Sequence, residues 1–258
     1  MCTLALYTRV RPEMPLLVAA NRDEYLDRST ASPRLLSVNP WVIGGQDLVA
    51  GGTWLGINEE GVVVALLNRR SSGQPDPTRH SRGLLCLQAL QCRTLDAVVE
   101  LLSGQDAGQY NPFTLMAATR ERAVVFSAQG TGIAVIDLPP GLHLLTNLEV
   151  NDAGCARIAR SRSRFAAVRP DTLLGFASFL PTLREVLADH APDPASESSV
   201  CVHRGPYGTR SSSIIALDSA GAAGYWHAEG PPCSAEYEPI PLPGPPTVSA
   251  VGDAFARS

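Results

Sequence analysis

A chain of 258 residues that is 45% hydrophobic and 18% charged can bury a sizeable core, and a layered architecture of this length is commonly one domain. Its formal charge of −4, with no block of Lys or Arg anywhere, offers no cationic footprint to nucleic-acid phosphates or an anionic membrane. No apolar run reaches the length of a membrane span, and the first residues lack the basic-then-apolar order of a secretory signal, so a cytoplasmic protein is expected.

In chain order, residues 2–7 and 16–20 are apolar runs separated by Arg11-Pro12-Glu13-Met14-Pro15, which predicts a hairpin whose first strand is central. Residues 52–56 and 62–67 flank the turn Asn58-Glu59-Glu60-Gly61 and predict a second hairpin, ending at Asn68. From 81 to 102 the apolar spacing becomes helical, with Thr94 as the N-cap of a second helix. Four short runs, at 113–118, 123–128, 133–138 and 142–146, predict a meander. Residues 153–168 and 173–187 again read as helical, with Pro181 breaking or starting a helix, and 212–217 with 222–228 form a last hairpin. Helices grouped between blocks of strands predict an α+β fold, two antiparallel sheets packed together with helices outside, rather than the alternation of a doubly wound sheet. One domain is expected over residues 1–230, followed by a Pro- and Gly-rich tail over 231–258 with no core of its own.

Six cysteines, Cys2, Cys86, Cys92, Cys155, Cys201 and Cys233, are scattered without a CxxC pair, and the five histidines show no HExxH or short metal spacing. No metal site is expected, and most of the thiols read as buried and reduced. Cys2 differs by position. A small second residue permits removal of Met1, and a terminal amine with a pKa of about 7.7–8.0 can serve as base to its own thiol. At Ala20-Asn21-Arg22-Asp23-Glu24 a strand ends in a dense polar group beside Cys2. Asp23 is positioned to accept a hydrogen bond from the Cys2 amine, and Arg22 or Arg210 to polarise the thiol. Because Arg22 and Asp23 are adjacent, they face opposite sides of the strand, which casts Arg22 as support rather than as a direct catalytic residue.

Met1-Cys2-Thr3, Ala20-Asn21-Arg22-Asp23-Glu24, Gly44-Gly45-Gln46-Asp47, the run from Ala50 to Gly56, Asn68-Arg69-Arg70, Ser81-Arg82-Gly83 and the run from Tyr207 to Ser212 together resemble the NRDE family, that of transport and Golgi organisation 2. A looser similarity runs to bile salt hydrolases and penicillin V acylases, which implies a four-layer αββα sandwich of N-terminal-nucleophile-hydrolase type. In that resemblance Asn68, closing the run from Asn58, takes the oxyanion-hole position, Asn147 in Leu145-Thr146-Asn147 the second functional amide, and Arg210 the late active-site arginine. The implied catalytic set is Cys2, Asp23, Asn68, Asn147 and Arg210, supported by Asn21, Arg22 and Trp54. The glycines of 44–56 lack the Gly-Lys-Ser/Thr of a phosphate loop and read as tight-turn and close-packing residues. Two functions follow from the resemblance: a cysteine amidohydrolase or acyltransferase acting on a small amide through a thioester, with no cofactor, or a carrier of haem or an acyl-coenzyme A or lipid ligand in the same cleft. Without a CxxCH motif any haem is held noncovalently.

Overall fold

In the computed structural model, which describes residues 2–71, 73–130, 132–168 and 176–244, the apolar runs become strands of two antiparallel sheets. The first hairpin pairs β1 (Thr3–Arg11) with β2 (Met14–Tyr25), setting Thr3 opposite Asn21. β10 (Gly141–Leu145) lies on the other side of β1, so β1 is interior. β12 (Tyr207–Leu217) flanks β2, followed outward by β13 (Ala223–Ala228) and β14 (Glu238–Pro239), with the short β11 (His203–Arg204) on the start of β12. The second sheet follows chain order: β3 (Thr30–Val38), β4 (Trp41–Asp47), β5 (Leu55–Asn58), β6 (Val63–Asn68), β7 (Phe113–Ala118), β8 (Ala123–Gln129) and β9 (Gly132–Leu138).

Two departures from the sequence reading have local causes. The fourth run of the expected meander leaves its neighbours and crosses to the first sheet, because Pro139-Pro140 interrupts the ladder and Gly141, at φ 150°, turns the chain away. The strands β3 and β4 were not expected. Pro33 and Arg34 break the alternation of β3, and two register irregularities interrupt its pairing with β4.

Helices α1 (Arg82–Leu90) and α2 (Leu95–Ser103) start where Ser81 and Thr94 side chains accept from the amides of Leu84 and Ala97. α3 (Ala156–Ala167) and α4 (Leu180–Leu187) follow β10, and Pro181 sits in the first turn of α4, starting that helix. Residues 169–175, part of the expected helical stretch, lie outside the described residues.

Burial on both faces explains why many strands read as unbroken apolar runs. Leu4, Leu6, Leu16 and Val18 face Leu55, Ile57, Val63 and Val125 between the sheets. Ala5, Tyr7, Leu17 and Ala19, from the alternate positions, pack on Ile158, Phe165, Leu183 and Leu187 of α3 and α4. Val64, Leu115, Val124 and Phe126 pack on Leu85, Leu90, Val98 and Leu102 of α1 and α2. The order is helix, sheet, sheet, helix. Asn58, fully buried, donates to the carbonyls of Leu90 and Cys92 and accepts from the amides of Glu60 and Val62, which fixes the β5–β6 turn against the end of α1. Of the expected tail, residues 231–244 run along the first sheet, with Ile240 and Leu242 against the inter-sheet core; residues 245–258 lie outside the described residues. Among the described residues no helix is long and apolar enough to cross a membrane.

Candidate active site

β2 does not stop at its polar cluster but continues to Tyr25, because β12 pairs with it throughout, and successive residues therefore alternate between two environments. Cys2, just ahead of β1, is half-buried against the inter-sheet core. Arg22 shares its side of the sheet. Both line an apolar crevice with Ala20, Leu55, Leu67 and Ser213, and both open onto a cleft of about 680 Å³ that Asp23, Trp54, His80 and Asn68 also border.

The guanidinium of Arg22 lies over the Trp54 ring, 4.3 Å from its centroid, with Nη2 3.7 Å from Glu24 and 3.9 Å from Asp47. Its Nη1 is buried and has no hydrogen-bond partner among the described residues. Trp54 in turn rests on bare backbone: a Cβ on Gly45 would sit 2.3 Å from its ring, and one on Gly52 would meet the backbone of Gly83 at 2.1 Å. The glycines of 44–56 are close-packing residues that seat the tryptophan and the start of α1. Burial pushes the Cys2 thiol up, the charge of Asp23 adds to the rise and Arg22 opposes it weakly, and the Sγ donates weakly to the Asp23 carbonyl at 3.9 Å.

Asn21 and Asp23 turn to the helical side. Asn21 donates to the carbonyls of Leu187 and Val200 at 2.8 and 3.1 Å and accepts from Ser212 at 2.7 Å. It is a structural clasp between β2 and the segment after α4. The Asp23 carboxylate accepts from Thr209 Oγ1 at 2.7 Å and from Arg157 Nη1 at 3.1 Å, and Arg157 also donates to Thr3 at 2.8 Å. Burial raises the Asp23 carboxyl from its ordinary range, with Arg157 and Thr209 opposing the rise. The sequence reading had Arg22 as the supporting residue; in the structure Arg22 is the one on the thiol's face, and Asp23 reaches the site from the opposite side.

The other expected residues divide. Asn68, at the end of β6, is exposed on the cleft lining. Asn147 is not among the residues that line the cleft; its carbonyl accepts from the Arg70 amide at 2.9 Å, which holds it near the end of β6, and its buried Oδ1 has no hydrogen-bond partner among the described residues. Arg210 is not brought into the cleft. It is the extra residue of a bulge, since Thr209 pairs with Asp23 and Ser211 with Arg22, and its guanidinium is taken up by Glu229 at 2.8 Å. The segment ahead of α1 supplies Pro75, Asp76, Pro77, Arg79 and His80 to the cleft lining.

Sequence reasoning passed over Arg157, which pairs with Asp23 from α3. A signal was present. Arg157, Ser161 and Phe165 are spaced by four, so a charged side chain stands on the buried face of an amphipathic helix, where it needs a partner. Also unforeseen, against the expectation of no metal site, is a group of four ligand-type side chains outside the cleft lining, His190, Cys201, His203 and Cys233. Their wide separation in sequence hid them.

The model of the transport and Golgi organisation 2 family matches residues 1–228. The chain is 30% identical over 235 residues to the human Transport and Golgi organization protein 2 homolog and 29% identical over 232 residues to its mouse counterpart, in each case over 80% of this chain and 83% of the relative. Among solved structures it resembles the Caenorhabditis elegans N-acylethanolamine-hydrolyzing acid amidase ortholog, with TM-score 0.57 and 16% identity over 83% of this chain and 92% of that one, a likeness of fold.

Proposed function

The chain belongs to the transport and Golgi organisation 2 family, has the α+β sandwich of an N-terminal-nucleophile hydrolase, and on that premise we propose that it is an N-terminal cysteine amidohydrolase or acyltransferase for a small amide. The observation that carries this reading is the presence of the Cys2 thiol and a buried, incompletely satisfied guanidinium, Arg22, together in the lining of one large cleft. A buried donor left open is costly unless something is meant to meet it.

Removal of Met1 gives Cys2 a free amine, which takes the thiol proton. The thiolate adds to the amide carbonyl, and the oxyanion so formed meets the Asn68 side-chain amide, a contact of a kind worth about 3–4 kcal/mol in a preorganised site. The ammonium returns its proton to the leaving nitrogen as the carbon–nitrogen bond breaks, which leaves a thioester on Cys2. Water, deprotonated by the same amine, then releases the acid and restores the thiol; an acceptor amine in place of water makes the reaction acyl transfer. Asp23, held by Arg157 and Thr209, positions the start of β1, and Arg22 stabilises negative charge on sulfur or on the substrate. The apolar side chains Ala20, Leu55 and Leu67 beside Cys2 favour an uncharged group next to the scissile carbonyl.

A panel of N-acyl amides of increasing chain length, assayed for acid release and for a mass increment on Cys2, tests the proposal. Turnover with a thioester on Cys2 is the expected result. Binding of haem or an acyl ligand in the cleft, with Cys2 unreactive toward every amide, would sink it in favour of carriage.

A further inference from the structure

Where the segment after α4 meets the turn after β13, one ligand atom from each of His190, Cys201, His203 and Cys233 lies within 4.8 Å of those of the other three. Ten, one and 29 residues separate them along the chain, so only the fold brings them together. The Cys201 and Cys233 sulfurs are 3.8 Å apart, and His203 Nε2 is 3.7 Å from the first and 3.5 Å from the second.

Those separations are the edges of a coordination tetrahedron. With Zn–S near 2.3 Å and Zn–N about 2.0–2.1 Å, tetrahedral angles set two sulfurs about 3.8 Å apart and a sulfur and a nitrogen about 3.6 Å apart. The sulfurs stand well beyond the ~2.05 Å of a disulfide. His190 is already oriented: its Nδ1–H donates to the Cys201 carbonyl at 2.9 Å, which fixes the tautomer that leaves Nε2 able to ligate. Two thiolates and two imidazoles suit zinc among the common divalent ions, and four protein ligands leave no open position for substrate.

We propose that His190, Cys201, His203 and Cys233 bind one Zn²⁺ as a closed structural centre. Two thiol protons pass to solvent as the thiolates form. The centre ties the segment after β13 to the strand partner of β12. Val202, between two of the ligands, donates its amide to Thr209, and Thr209 is the hydroxyl that holds Asp23. Three of the ligands fall inside the matched residues 1–228, and Cys233 lies after them.

The test is elemental analysis of the whole chain, expressed with zinc in the medium and purified without chelator, beside Cys233→Ser and Cys92→Ser. About one zinc per wild-type chain is expected, retained in Cys92→Ser and lost in Cys233→Ser. Chelator should lower the wild-type Tm by on the order of 5–10 °C. Should Cys233→Ser fail to fold, cobalt loaded into the wild type decides, by showing or lacking the visible bands of a tetrahedral thiolate site. Wild type expressed with zinc that holds no metal, a Tm indifferent to chelator, metal lost equally from Cys92→Ser, or a Cys201–Cys233 disulfide two hydrogens lighter would each overturn the proposal.

Discussion

The two faces of β2 near its end are built to different standards. On the helical face, Asn21 has three hydrogen bonds and Asp23 is met by Thr209 and Arg157. On the cleft face, one residue along, Arg22 has a tryptophan beneath it, two carboxylates at nearly 4 Å and one nitrogen with no partner among the described residues. Both faces are buried, so solvent does not make the difference. A carboxylate and an amide met by close partners hold a fold in place, and a guanidinium held only by distant ones is free to bind, which is why stability and chemistry are expected to separate across a single strand.

The separation can be broken by mutation. The largest expected effect is that of Cys2→Ala, which should cut amide turnover by about 10⁴-fold or more while unfolding in urea shifts by less than about 1 kcal/mol. Arg157→Met should do the reverse: it strands the Asp23 carboxylate, and equilibrium unfolding should show a loss of about 3–5 kcal/mol. Asn68→Ala, at an exposed strand end, is expected to lower kcat about 10²–10³-fold with the unfolding midpoint unmoved. Arg22→Met sharpens the contrast most. Thiol reactivity should fall about tenfold with stability unchanged or slightly raised; a loss as large as that of Arg157→Met would show that the cleft face is structural after all.

The smallest effect is a matter of pH. Burial raises the Cys2 thiol, so in a chain that keeps Met1 the rate of Cys2 alkylation should climb only at a pH above the ordinary thiol range. Removal of Met1 places an ammonium beside the sulfur, and the climb should move to lower pH. An identical profile in both forms would contradict the role given to the terminal amine.

Much of the arrangement was legible in the sequence because it rests on local pattern. Most of the apolar runs, the Thr94 cap and the turn at Asn58 are short-range signals, and they led to the elements expected, the crossing of the fourth meander run excepted. The alternation of Arg22 and Asp23 was legible too, but not which face would hold the thiol, because that depends on the second sheet and on Trp54 packing over Gly45. Arg210 was misplaced for a related reason. A bulge adds one residue to β12 and redirects the side chain to Glu229, and no periodicity announces a bulge. The zinc-type cluster was invisible because its members come from a helix end, a strand and a turn after the last long hairpin.

The most direct test of the central claim, that Cys2 is a terminal nucleophile, is the intact mass of protein made in cells, before and after brief exposure to a thiol-reactive acylating probe, for wild type and Cys2→Ala. The account predicts a wild-type mass lacking Met1 and one acyl group added, with none added to Cys2→Ala. Retained Met1, or equal labelling of the two proteins, would contradict it.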